Sequence, residues 1–182
     1  MAVLKIVEWP AKVLETAANE VTVFDEGLRA FVSDMHETMH ESSGIGLAAN
    51  QVGDLRRIIT IEIPYVGKDK GDEEQPQWWH NKRFTFINPV IAKKSGTVRW
   101  QEGCLSFPEI FDFVERASEV WIQAKDEHGK DFEVHAEGLL AVCLQHEIDH
   151  IDGIVFFKRM SRLKADRIKN KMLKRGNVNV EA

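Results

Sequence analysis

The apolar positions of the chain fall into alternating helical and extended spacings. Over residues 26–41, Leu28, Phe31, Val32, Met35 and Met39 recur every three or four positions. That period places them on one face of an amphipathic helix, with Asp25 as its candidate N-cap. Residues 55–63 hold the β-branched run Ile58-Ile59-Thr60-Ile61-Glu62-Ile63, and residues 84–91 and 96–100 are further strand candidates. Residues 114–125 read as one strand with Val120, Ile122 and Ala124 on one face. A turn at Asp126-Glu127-His128-Gly129-Lys130 and a return at 132–135 make a hairpin. Residues 137–150 are mostly apolar helix formers without proline, and Gly153 is a plausible stop. A short helix is expected at 11–17 behind Pro10, a short strand at 154–157 and a helix in the tail 158–175. Residues 64–82 are polar, with Gly67, Gly71, Pro76 and an acidic run, and are expected to form a long surface loop carrying Trp78-Trp79.

Within this pattern, Gln145-His146-Glu147-Ile148-Asp149-His150 carries chemistry. Histidines four apart lie on one helix face and can reach one ion, with the intervening glutamate free to move a proton. The same expression occurs at His36-Glu37-Thr38-Met39-His40, where it ends its helix. A solvated helix end is the expected role of that pair. A third ligand would separate the two, and Cys104, in Glu102-Gly103-Cys104-Leu105-Ser106, is the candidate. Cys104, His146 and His150 give three protein ligands and one open position, the catalytic pattern of a metal site. The stretch from Gly44 to Gly53 packs glycines and alanines around Asn50-Gln51, which suggests backbone brought close to a site.

Composition narrows the class. At 182 residues, one domain spanning 1–182 is expected, including a basic helix at 158–175. Charged residues make 29% and the net charge is -5, which argues against a general nucleic-acid or DNA binder. Two cysteines are too few for a disulfide framework, and the N-terminus lacks an apolar or Arg/Ser-rich leader, so a cytoplasmic location is expected. No apolar run approaches the roughly 20 residues that span a bilayer. The tail is rich in Lys and Arg and has one acid, Asp166. A solvated face is its default reading, and docking on RNA or an acidic partner is the alternative.

Three segments together resemble one family. Gly44 through Gln51 is similar to the G-x-G-x-A-A-x-Q motif of the peptide deformylases, Glu102 through Ser106 to E-G-C-L-S, and Gln145 through His150 to Q-H-E-x-D-H. All three occur complete and in the family's order. The resemblance implies an α+β fold, with antiparallel sheets packed around a central helix that carries the motif and with a C-terminal helix. It implies a metal-dependent hydrolase that removes the formyl group from the formylmethionine of nascent chains. Cys104, His146 and His150 become the ligands of one ion per chain, and Glu147 the general acid/base. Gln51 and the backbone N–H of Leu105 become the oxyanion donors. Ile45, Gly46, Leu139, Val142, Cys143 and His146 become the wall for the methionine side chain, with Glu102 and Gly103 also at the substrate. The family implies Fe2+, with Zn2+, Ni2+ or Co2+ able to substitute, whereas tetrahedral S/N geometry alone suggests zinc.

Around these, Glu102 should be buried and need a partner, for which Arg116 is the candidate. Gln145 and Asp149 should orient the ligands. The expected partners are N-formylmethionyl nascent peptides and, through the basic tail, the ribosome, with the chain itself a monomer. The alternative is a zinc peptidase of the H-E-x-x-H type. Such an enzyme would take its third ligand downstream, whereas Cys104 lies upstream.

Overall fold

The computed structural model describes residues 2–64 and 80–178, with side chains through 175. It contains helices α1 (Glu26–Glu41), α2 (Gly138–Ile151) and α3 (Arg162–Val178). Its strands are β1 (Gly46–Ala48), β2 (Ile58–Glu62), β3 (Arg83–Ser95), β4 (Val98–Cys104), β5 (Phe107–Arg116), β6 (Glu119–Lys125) and β7 (Asp131–Glu137). Five strands form one antiparallel sheet in the order β1-β2-β3-β6-β7. The hairpin β4-β5 leaves it between β3 and β6 as a separate two-stranded sheet. This is the α+β arrangement expected of the sequence.

The apolar face of α1 is the one the spacing predicts, and Asp25 caps it by accepting from the Leu28 N–H at 2.8 Å. Leu28, Val32, Met35 and Met39 pack on Leu47, Ile58 and Ile87. Ile59, Ile61, Phe86, Val120, Ile122 and Val134 instead meet Leu140, Ala141, Leu144 and Ile148 of α2. Strand β2 therefore has both faces covered, which explains its unbroken apolar run. In α2, residues 140–151 are all buried, so this helix is core on every side. Gly153 ends it at φ 72°, where a Cβ would stand 3.0 Å from the backbone of Glu15 and Ala17, so only glycine fits.

Several expectations are corrected. Residues 11–17 give only a 3-10 turn, Lys12–Glu15. The single strand at 114–125 is two, β5 and β6, divided at Ala117-Ser118, and β5 starts as early as Phe107. Its alternation is broken by Glu109 at φ 60°, and its polarity is mixed. Phe107, Ile110 and Val114 point inward, but so does Arg116, while Phe111 and Phe113 face solvent. Residues 154–157 are not a strand, because a strand would send adjacent side chains to opposite faces. Phe156 and Phe157 both turn inward onto Phe107, at ring separations of 5.2 and 5.5 Å, by way of the 3-10 turn Phe156–Arg159. His36 is not solvated. It is buried, with Nε2 3.1 Å from Thr85 Oγ1, and burial followed by the Arg83 charge lowers its pKa to about 4. His40 is exposed at the helix end as expected. Most of the expected 64–82 loop, with Trp78-Trp79, lies outside the described residues.

Phe107 joins Trp9, Phe156 and Phe157 into an aromatic cluster and is fully buried. Phe107→Ala should cost about 3–5 kcal/mol through lost burial and the cavity left behind. Urea denaturation should show a lower midpoint with an unchanged slope.

Candidate metal centre

Strand β4 ends in Glu102, Gly103 and Cys104, and one face of α2 presents His146 and His150 to the same point. Cys104 Sγ lies 3.2 Å from His150 Nε2, which lies 3.2 Å from His146 Nε2. These three donor atoms all fall within 4.8 Å of one another. A tetrahedral ion with bonds of about 2.0–2.3 Å holds its donors roughly 3.3–3.6 Å apart, so the S/N/N set fits one transition-metal ion. Burial drives His150 well below the usual histidine range, whereas hydrogen bonds with Cys104 and Glu102 outweigh burial and raise His146 well above it. Among the described residues the His36 copy of the motif gathers no such set: its neighbour is a threonine on β3.

The groups behind the ligands are charged and paired. Glu102 Oε2 stands 2.8 Å from His146 Nδ1, which leaves Nε2 pointing at the cluster. Arg116 grips both oxygens of Glu102, at 2.7 and 3.0 Å, so the partner expected from the sequence is present. Burial alone would raise the Glu102 pKa, but hydrogen bonds from Arg116 and His146 outweigh it and hold the carboxyl at about 2. Arg116 also donates to Asp149, which is buried rather than a surface residue. Glu102 is thus turned away from the cavity, and its expected place at the substrate is corrected: its carboxylate is committed to Arg116 and His146. Gln145 does not orient a ligand. Its amide exchanges hydrogen bonds with the Ala117 backbone N–H and C=O at 3.0 and 2.9 Å, tying α2 to the β5–β6 corner.

On the open side, Gln51 sits in the 3-10 turn Ala49–Val52. Its Oε1 accepts from the Ala48 N–H at 2.8 Å, which directs its NH2 group toward Cys104 Sγ at 3.5 Å and Ser106 Oγ at 3.3 Å. Asn50 donates to the His150 carbonyl and so ties this turn to the ligand helix. The sequence points to Asn50 only as half of the polar pair Asn50-Gln51, and it gives Ser106 no role although Ser106 stands inside a quoted motif. Glu147 is buried and lines the cavity, and burial lifts its carboxyl to about 7. Gly46 must be glycine: a Cβ there would lie 2.5 Å from Glu147 Oε1 and 2.8 Å from Cys143 Sγ. Residues of four segments — Ile45 and Gly46, Gln51, Gly103 to Leu105, His146 and Glu147 — line one cavity of about 520 Å³. Leu139, Val142 and Cys143 are outside that lining. Val142 and Cys143 are buried, and Cys143 Sγ lies 3.7 Å from the Ile45 carbonyl oxygen.

Known proteins match this chain along nearly its whole length. Residues 3–166 match the Polypeptide deformylase family. A peptide deformylase of Chromobacterium violaceum is 46% identical over 180 residues, covering 99% of this chain and all of that protein. A peptide deformylase crystal structure from Legionella pneumophila superposes with a TM-score of 0.83 at 37% identity, covering 100% of this chain and 99% of that one. One from Ehrlichia chaffeensis in complex with actinonin gives 0.86 at 40% identity, covering 96% and 98%.

The depressed Glu102 pKa carries a sign. A carboxylate held near 2 in the fold, against an ordinary 4.5, contributes stability that is complete above pH 4.5 and is lost as pH falls toward 2. The full contribution is about 3 kcal/mol. Glu102→Gln should therefore be markedly less stable than the parent at pH 7 and lose less on going to pH 3, as read by denaturant unfolding at the two pH values. A parallel loss in both proteins would show that Glu102 is not the titrating group.

Proposed function

The chain belongs to the polypeptide deformylase family and is a formyl-removing hydrolase, for which we propose the following assignment of residues. Cys104, His146 and His150 hold one metal ion, Glu147 is the general acid/base, and Gln51 and the Leu105 N–H are the oxyanion donors. The observation that carries this reading is the convergence of the S/N/N donor set, a buried carboxyl and a fixed amide NH2 on one cavity. The upstream cysteine also argues against the zinc-peptidase alternative. We take the ion as Fe2+ in the cell, with Zn2+, Ni2+ or Co2+ able to substitute, on the strength of the family resemblance.

An ion held by Cys104, His146 and His150 would supply Lewis acidity toward the formyl carbonyl and would ease deprotonation of the attacking water. Everything else is supplied by side chains. The formyl oxygen gathers charge as its carbon becomes tetrahedral, and the Gln51 NH2, already aimed by the Ala48 N–H, stabilises that charge without reorganising. Loss of one such donor costs on the order of 100- to 1,000-fold in rate. Glu147, with a pKa of about 7, can take a proton from the attacking water and return it to the departing amine near neutral pH. Gly46 leaves the room Glu147 needs. Ile45, Gly46 and His146 flank the methionine side chain, with the buried Val142 and Cys143 packed behind that lining and Gly103 beside the peptide.

Formate release from a formyl-Met peptide tests this. Iron-loaded, oxygen-protected protein should release it, Glu147→Ala should lose at least about 100-fold while keeping its metal, and Cys104→Ser should lose the metal. No formate from the loaded parent would refute the assignment.

We further read residues 1–182 as one catalytic domain working as a cytoplasmic monomer on nascent chains. Among the described residues no helix is long and apolar enough to cross a membrane. On α3, Lys164 and Arg175 pair with Asp112 and Glu109, Lys171 donates to the Glu109 carbonyl at 3.0 Å and Arg162 stands 3.9 Å from Asp166, while Arg162, Arg167, Lys171 and Lys174 are all exposed. That leaves a basic surface for the ribosome. Truncation from Ser161 should abolish salt-sensitive co-sedimentation with ribosomes, and unchanged co-sedimentation would remove α3 as the contact.

A further inference from the structure

Asp149 follows Ile148 on the ligand helix, and its carboxylate is buried but opens toward a second, polar cleft. This cleft, of about 280 Å³, is separate from the catalytic cavity and is lined by Lys94, Glu115, Arg116, Gln145, Asp149 and Arg159, among others. Arg159 closes it. It leaves the turn Phe156–Arg159 and takes Asp149 with a two-pronged grip, Nη2 to Oδ1 at 2.5 Å and Nε to Oδ2 at 3.0 Å. Its side chain is 41% exposed, while that of Asp149 is 8%.

A surface arginine on a carboxylate usually contributes little, because water can replace it. Here the carboxylate leads somewhere. Asp149 Oδ2 also accepts from Arg116, Arg116 holds Glu102 by both oxygens, and Glu102 holds His146 Nδ1. The charges alternate, plus, minus, plus, minus, from solvent to the imidazole. Each pairing fixes the next. Without Arg159, Oδ1 of Asp149 loses its only hydrogen-bond partner among the described residues, and Arg116 becomes the sole cation for two buried carboxylates. The two then compete for one guanidinium, which loosens the fork on Glu102 and with it the setting of the His146 ring.

We propose that Arg159 is a positioning residue for the metal centre, acting through Asp149, Arg116 and Glu102 on His146. The inference rests on the proposed ligand set but not on the reaction, so its test does not depend on turnover. Arg159→Met and Arg159→Lys are compared with the parent, each loaded with Co2+, whose visible absorption bands report ligand geometry directly. The Met variant should show shifted bands and lose cobalt to a chelator about 10- to 100-fold faster. Its kcat for formate release should fall by about tenfold with KM little changed. The Lys variant keeps the charge but offers one point instead of a fork, and should fall between the two. A Met variant with parental bands and chelation rate, altered only in melting temperature, would make Arg159 a mere anchor of its turn and overturn the proposal. If the Met variant does not fold, the Lys variant carries the test: cobalt loss at the parental rate overturns the proposal equally. Failure of the deformylase assignment would appear separately, as no formate from the parent whatever the cobalt readouts show.

Discussion

The structure turns on a buried ionic arrangement that joins a strand end to a helix. Glu102, Arg116 and Asp149 are each almost wholly buried, and a buried charge is tolerable only with its partners in place. Glu102 is contributed by β4, Arg116 by the end of β5 and Asp149 by α2. Satisfying all three therefore fixes the two-stranded sheet against the helix. Cys104 stands two residues after Glu102, and His146 and His150 flank Asp149 on the helix. The register that neutralises the charges is the same register that brings sulfur and nitrogen donors together. A shift of β4 by one residue would send Cys104 to the other face and leave Arg116 with one carboxylate.

The helix itself is used twice. Its Leu140, Ala141, Leu144 and Ile148 close the main core, while His146, Glu147 and His150 form the site. This is why α2 shows so little amphipathic contrast: a helix buried all round has no polar face to give. It also explains the small residues opposite. Gly46 must yield its side-chain volume to Glu147 and Cys143, and Asn50 must come close enough to donate to the His150 carbonyl.

Legibility from sequence followed burial polarity. The face of α1 and the β6–β7 hairpin are readable because apolar residues point inward there, and α2 is readable as an apolar run of helix formers unbroken by proline. Strand β5 escapes periodicity because a buried Arg116 joins Phe107, Ile110 and Val114 on the inside while Phe111 and Phe113 stand outside, so hydrophobicity does not mark its inner face. Phe156 and Phe157 misled in another way, since two adjacent inward aromatics require a 3-10 turn. The residues of the site were legible as spacing within three short motifs, and the Glu102–Arg116 pairing followed from the cost of burying a carboxylate. Their long-range partners were not all legible. Nothing in the linear order links Arg159 to Asp149, and Gln145 stands next to a ligand yet serves the Ala117 backbone. His36 shows the limit from the other side: a complete H-E-x-x-H in sequence that tertiary packing turns into a buried neutral imidazole beside Thr85.

The two carboxyls nearest the donor set show how environment divides labour. Glu102 and Glu147 are about equally buried, yet one is held at about 2 and the other raised to about 7. The difference is in their partners. Glu102 receives both arms of Arg116 and the Nδ1 of His146, and hydrogen bonds to the charged form outweigh desolvation. Glu147 has no partner for Oε2 among the described residues, so desolvation dominates and its proton affinity rises. A carboxylate that keeps its charge throughout the neutral range suits holding a ring in place, and one that changes protonation near neutral pH suits moving a proton. Exchanging their surroundings would exchange those aptitudes. The division of roles proposed for them therefore belongs to where Arg116 sits as much as to the motif that names Glu147.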